Sequence, residues 1–155
     1  MYEVKCPELM DPDDRISIFM AGGITDCPDW RKEVLELFNE YDIQLINPLR
    51  ENFDGYDANR QIEQIEWEFE HLEMADIILF YFCKETLNPI TLYELGVCAA
   101  QDRNIFVACH PEYKRKLDVI QQLSLIKPEV VVHETIKDMV DDIINNFEEI
   151  EDFTL

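Results

Sequence analysis

The sequence predicts one doubly wound α/β domain, with about five parallel strands and helices on both faces. Three observations carry this expectation. Short apolar runs alternate along the chain with stretches of helical periodicity. The run Ile77-Ile78-Leu79-Phe80-Tyr81-Phe82 is continuously apolar, β-branched and aromatic, as a strand buried on both faces requires. Turn signals, Gly22-Gly23, Asn47-Pro48 and Asn88-Pro89, come after three of the runs.

Composition narrows the function classes. At 155 residues and 47% hydrophobic the chain can bury one core, and a single domain over residues 1–155 accounts for it. A formal net charge of -21 opposes the phosphate neutralisation that a nucleic-acid polymer demands and argues against a DNA- or RNA-wrapping role, while a small ligand stays open because one local Arg can outweigh the distant field. No apolar stretch approaches a membrane span, and Met1-Tyr2-Glu3-Val4-Lys5-Cys6 lacks the apolar region of a signal peptide. A cytoplasmic location without membrane partners is expected. The five cysteines, Cys6, Cys27, Cys83, Cys98 and Cys109, are odd in number and form no CxxC pair. They read as reduced packing residues rather than as a disulfide framework or zinc site.

Taken in order, residues 1–15 carry Pro7, Pro12 and several Asp and read as an irregular lead-in. Ile16-Ser17-Ile18-Phe19-Met20-Ala21 is the first strand, broken by Gly22-Gly23, where the backbone can turn or approach a ligand. Trp30 to Tyr41 is an amphipathic helix opened by Asp29, with Val34, Leu35, Leu37 and Phe38 at helical spacing. Ile43-Gln44-Leu45-Ile46 is a short strand stopped by Asn47-Pro48, and residues 49–57 form a polar and aromatic loop.

Residues 59–74 form a helix with Ile62, Ile65, Phe69 and Leu72 on one inward stripe and Glu63, Glu66, Glu70 and Glu73 opposite. Glu68 lies on the other shoulder of the stripe, with Gln61 and Gln64. The central strand Ile77–Phe82 then feeds a helix from Pro89 to Gln101. Asn88 suits its N-cap and Pro89 its first turn, and Glu94 falls in the second turn, near the carboxyl end of a strand. Asn104 to Ala108 is another strand, residues 112–126 a weaker helix, and Glu129 to His133 a last strand around Val130-Val131-Val132. The terminal helix, Ile136 to Phe147, turns Met139, Val140, Ile143, Ile144 and Phe147 inward, and an acidic tail occupies residues 148–155. Right-handed crossovers then give a flavodoxin-like order.

Three segments carry a resemblance: Ile18 to Ile24 with Trp30; Ile46-Asn47-Pro48-Leu49-Arg50; and Ile65-Glu66-Trp67-Glu68 through Ala75-Asp76-Ile77-Ile78 to Glu85-Thr86, Pro89-Ile90 and Glu94-Leu95-Gly96. In this order and spacing the chain resembles the nucleoside 2-deoxyribosyltransferase-like superfamily, which includes nucleoside 5′-monophosphate N-glycosidases. The resemblance spans about residues 16–108. It implies cleavage of the N-glycosidic bond of a nucleoside or its 5′-monophosphate, with transfer to another base or to water. It also implies a homo-oligomer without metal or cofactor. Glu94 would be the nucleophile and Glu68 the acid that serves the departing base, and the amino end of its helix would help keep Glu94 ionised.

The chain departs from the resemblance at two places. Asn88 stands six residues before Glu94, where relatives often carry Asp, so Glu85 and Asp54 become acidic alternatives. The first strand reads Ile18-Phe19, where many relatives have a tyrosine. Both departures support an alternative, a nucleotide-binding or sensing module with reduced catalysis. Substrate contacts are expected at Gly22, Gly23, Trp30, Asn47, Arg50 and Asn88. Trp30 can stack on the base or pack its helix on the core, and Arg50 can bind a phosphate or a base carbonyl, or form a surface ion pair. Trp67 reads as an oligomer contact and Gly96 as a point of close helix packing. His71, His110 and His133 show no metal spacing.

Overall fold

The computed structural model describes residues 1–51 and 57–152, with side chains through Phe147. Asp54, one of the acidic alternatives, lies outside the described residues. The elements are β1 (Tyr2–Lys5), β2 (Ile16–Gly22), α1 (Arg31–Leu37), β3 (Ile43–Asn47), α2 (Ala58–Met74), β4 (Ile77–Phe82), α3 (Pro89–Ala100), β5 (Ile105–Cys109), α4 (Lys116–Ile126), β6 (Val132–His133) and α5 (Ile136–Asp152).

All strand pairs are parallel, in the order β1-β3-β2-β4-β5-β6. From β2 onward this is the expected flavodoxin-like order, and the strand order reverses between β2 and β4. Side chains alternate across the sheet and divide the core in two. Phe19, Ile46, Ile78 and Phe80 pack against Trp67 and Leu72 of α2, Leu95 and Cys98 of α3, and Val119 and Leu123 of α4. Ile18, Met20, Leu45 and Leu79 face Val34 of α1 and Met139, Val140 and Ile143 of α5. Each fully buried Leu, Ile or Phe contributes about 1.5–3 kcal/mol, so β2 and β4 anchor the fold.

Several expectations are corrected. The lead-in contains a sixth strand, β1, paired with β3 from Tyr2↔Gln44 to Lys5↔Asn47. Helix α1 begins after Trp30, with no side-chain cap from Asp29, and ends at Leu37. The last strand shrinks to Val132–His133, and α5 runs on to Asp152, into the segment read as a tail.

The largest correction concerns α2. Its buried face is Gln64, Trp67, His71 and Leu72, while Ile62, Ile65 and Phe69 are 53%, 64% and 66% exposed. Trp67 is therefore not a surface contact. Its indole N–H donates to the Glu8 carbonyl at 2.7 Å, and its ring stacks on His71 with centroids 3.9 Å apart. The bond to Glu8 reaches outside the helix and rolls it away from its apolar stripe, and the same roll aims Glu68 at the sheet's carboxyl edge.

Cys27 and Cys83 are joined in a disulfide, against the expectation of five reduced thiols. Residues 56 apart in sequence leave no spacing signal; β2 and β4 are neighbours, and their ends bring the two together with Cα atoms 6.4 Å apart. Cys6, Cys98 and Cys109 are free and buried, as expected.

Candidate active site at the strand switch point

Open α/β sheets bind ligands where the strand order reverses, outside the carboxyl ends of the strands. Here that position is a cleft of about 330 Å³ between the ends of β2 and β4 and the start of α3. Its walls include Phe19, Gly22, Gly23, Pro48, Glu68, Asn88 and Glu94. Five predicted site residues, Gly22, Gly23, Glu68, Asn88 and Glu94, thus meet there, although they come from three separate segments: the end of β2, α2 and the start of α3.

The glycines are there for close approach. A Cβ on Gly22 would lie 2.3 Å from the Trp30 ring and 2.8 Å from the Tyr81 carbonyl. A Cβ on Gly23 would lie 2.1 Å from Asn88 Oδ1. Trp30 accordingly sits beneath the loop, 5% exposed, with its indole N–H donating to the Gly23 carbonyl at 3.1 Å. Of its two readings the structure supports packing, for it is not on the cleft wall.

Asn88 occupies the N-cap position in the left-handed region, at φ 51°. Its side chain does not cap the helix. Nδ2 donates to the carbonyls of Cys83 and Thr86, at 3.3 and 3.0 Å, so the residue fastens the loop after β4. Pro89 stands in the first turn as expected.

Asn47 and Arg50 are off the cleft wall. Asn47 is buried, donating to Glu3 at 2.8 Å and accepting from the Leu49 amide at 3.0 Å. Arg50 pairs with Glu63 at 3.4 Å. Gly96 is no packing contact, because a Cβ there would meet nothing within 4 Å. Glu85 is exposed and off the wall; its carboxylate clusters with the sulfurs of Cys27 and Cys83 within 4.8 Å. Those sulfurs are bonded to each other, which removes them as thiolate ligands.

Arg31, off the cleft wall, is the supporting residue that the sequence reading missed. It is 3% exposed, and its guanidinium donates to the carbonyls of Met20, Gly22 and Gly23 at 3.0–3.1 Å. The signal was its place on the inward stripe of α1, at i, i+3 and i+7 with Val34 and Phe38. A cation on an apolar stripe needs a buried partner.

The two carboxyls share one field. Burial and the nearby charge of Glu68 push Glu94 up to about 7, against a smaller opposing effect of Arg31. Burial also raises Glu68, opposed by a hydrogen bond from Gln64 and by Arg31. The expectation that the helix end keeps Glu94 ionised therefore fails: near neutral pH the residue is poised between its two forms. Burial lowers Arg31 to about 10, which leaves it charged at neutral pH. Two carboxyls of raised affinity for protons, in one cleft, form an arrangement suited to nucleophilic and acid–base work.

No helix among the described residues is long and apolar enough to cross a membrane. Comparison with curated proteins gave no match. The sequence pattern of the family described as nucleoside 2-deoxyribosyltransferase like matches residues 15–113. That segment runs from β2 past β5 and contains Gly22, Gly23, Glu68, Asn88 and Glu94. With well over half of the chain matched, the protein belongs to the nucleoside 2-deoxyribosyltransferase like family.

Proposed function

We propose that the protein cleaves the N-glycosidic bond of a nucleoside through a glycosyl-Glu94 ester. The observation that carries the reading is the pair Glu68 and Glu94 in one cleft at the switch point. Ionised Glu94 attacks the anomeric carbon as the bond from carbon to base nitrogen breaks. The bonding electrons leave with the base, which takes a proton from Glu68. In the second step water or another base attacks the anomeric carbon, its proton passes to Glu68, and the ester to Glu94 breaks. The chemistry needs one proton on the pair at the start, which matches two carboxyls that hold protons more tightly than usual.

The substrate we favour is the uncharged nucleoside rather than its 5′-monophosphate. The described lining of the cleft contains no Lys, Arg or His. Arg50, the cation that suggested a phosphate, is paired with Glu63 away from the wall. A dianion would enter beside two carboxyls in a protein of net charge -21.

The test is incubation with nucleosides and 5′-monophosphates, with and without a second base, followed by chromatography for free or exchanged base. Base release from nucleosides that is abolished in Glu94→Ala supports the reading; no release at high protein concentration defeats it. A second reading is a binding module with reduced turnover. Phe19 on the cleft wall, without a hydroxyl, and Asn88, committed to backbone carbonyls, favour it. Tight nucleoside binding by calorimetry without base release would select it.

We further propose a homo-oligomer assembled through the exposed stripe of α2. Ile65 and Phe69, with Ile90 and Tyr93 of α3, line an apolar depression that also reaches Glu68 and Glu94. Sedimentation at several concentrations tests this: Phe69→Glu should leave a monomer, and a wild type that is itself monomeric overturns it.

A further inference from the structure

Gln64 is almost fully buried, 9% exposed, on the face of α2 that meets the sheet. Its Nε2 donates to the Pro48 carbonyl at 2.7 Å and to Glu68 Oε1 at 2.7 Å. Both amide hydrogens are thereby used. The other end of the amide, Oε1, is buried with no partner. Flipping the amide would turn that oxygen toward the Pro48 carbonyl, which can only accept, so the orientation is fixed by chemistry. Pro48 and Glu68 both belong to the cleft wall.

The i, i+4 spacing on α2 brings Gln64 against Glu68. An N–H aimed at one carboxyl oxygen favours the carbonyl form of that oxygen, the better acceptor of the two. When Glu68 is protonated, its proton is therefore favoured on the other oxygen, Oε2.

We propose that Gln64 is a positioning residue for the acid that serves the departing base: it clamps Glu68 to the wall at Pro48 and assigns the transferable proton to Glu68 Oε2. The inference rests on the N-glycosidic reading of the cleft. In the first step Oε2 gives its proton to the base nitrogen and Glu68 becomes a carboxylate, with Oε1 still held by the Gln64 amide. In the second step Oε2 takes back the proton of water or of the incoming base. The donor N–H stabilises the carboxylate that forms, which eases proton release.

The experiment compares wild type with Gln64→Leu, similar in size and without donors. Two substrates are used: an ordinary purine nucleoside, whose base needs a proton to leave, and its 7-methylated cation, whose base leaves without one. The expected result is a 10- to 100-fold fall in kcat on the ordinary nucleoside, KM within about twofold, and little change on the methylated one. Equal loss on both substrates, or loss on neither, overturns the proposal. A second readout is independent of turnover. With the glutamate carboxyl carbons labelled for NMR, removal of the N–H should move the Glu68 midpoint to higher pH, and an unmoved midpoint overturns the assignment. If wild type releases no base from any nucleoside, the function reading fails and the NMR arm still decides the role of Gln64. If Gln64→Leu does not fold, Gln64→Asn, one methylene too short to span both acceptors, carries the same expectations.

Discussion

Replacing Glu94 by Gln should stabilise the fold, by an amount that grows with pH. In the unfolded chain the carboxyl releases its proton near 4.5; in the folded protein burial and Glu68 hold that proton until about 7. Below 4.5 both states bind it, and the substitution changes little. Between 4.5 and about 7 the folded state binds more protons than the unfolded one, so wild-type stability falls as pH rises. Each pH unit in that window costs about 1.4 kcal/mol. With allowance for the partial exposure of the side chain, the sum is about 2–3 kcal/mol by pH 8. Gln carries no charge to desolvate and escapes this cost. Urea unfolding of both proteins at pH 4, 5, 6, 7 and 8 measures it, and the difference reports Glu94 together with its charge coupling to Glu68 and Arg31. A stability difference that stays flat from pH 4 to 8 would refute the burial argument.

Three other outcomes follow from the same geometry. Reduction of the Cys27–Cys83 bond frees a 56-residue separation, which in the chain-entropy account removes about 4 kcal/mol; urea midpoints with and without dithiothreitol should differ accordingly, and equal midpoints count against the bond. Gly23→Ala drives a methyl group against Asn88 Oδ1, an atom of a buried side chain anchored to two carbonyls. A loss of about 1–3 kcal/mol in thermal unfolding is expected, with weaker nucleoside binding in calorimetry. Arg50→Ala should leave the ratio of activity on nucleoside to activity on monophosphate unchanged, because Arg50 is engaged by Glu63; selective loss on the monophosphate would restore a phosphate role.

Some of this molecule is legible in its sequence for simple reasons. The run Ile77–Phe82 is buried nearly throughout, and a run so apolar has nowhere else to go. Met139, Val140, Ile143 and Phe147 repeat at helical spacing and do face the core. Glu94 lies near a strand end because Asn88-Pro89 starts its helix there. What the sequence hides is set by tertiary partners. Helix α2 has a clear apolar stripe, yet its orientation follows the Trp67 bond to Glu8 and the Gln64 bond to Pro48. Strand β1 is four residues long and pairs on one side only, too little for periodicity to register. The standing of Glu94 between its two charge states depends on its burial at the switch point and on the charges of Glu68 and Arg31, which come from other helices.

The strand order has a further consequence for how copies of this chain can meet. The sheet ends in β1, four residues long, on one side and in β6, two residues long, on the other. Each edge therefore offers only a short row of free backbone groups, too few to template a neighbouring strand. Self-association by edge pairing, the route to runaway β-aggregates, is closed at both ends. Any contact between copies is left to the helical layers, where side chains would set its specificity.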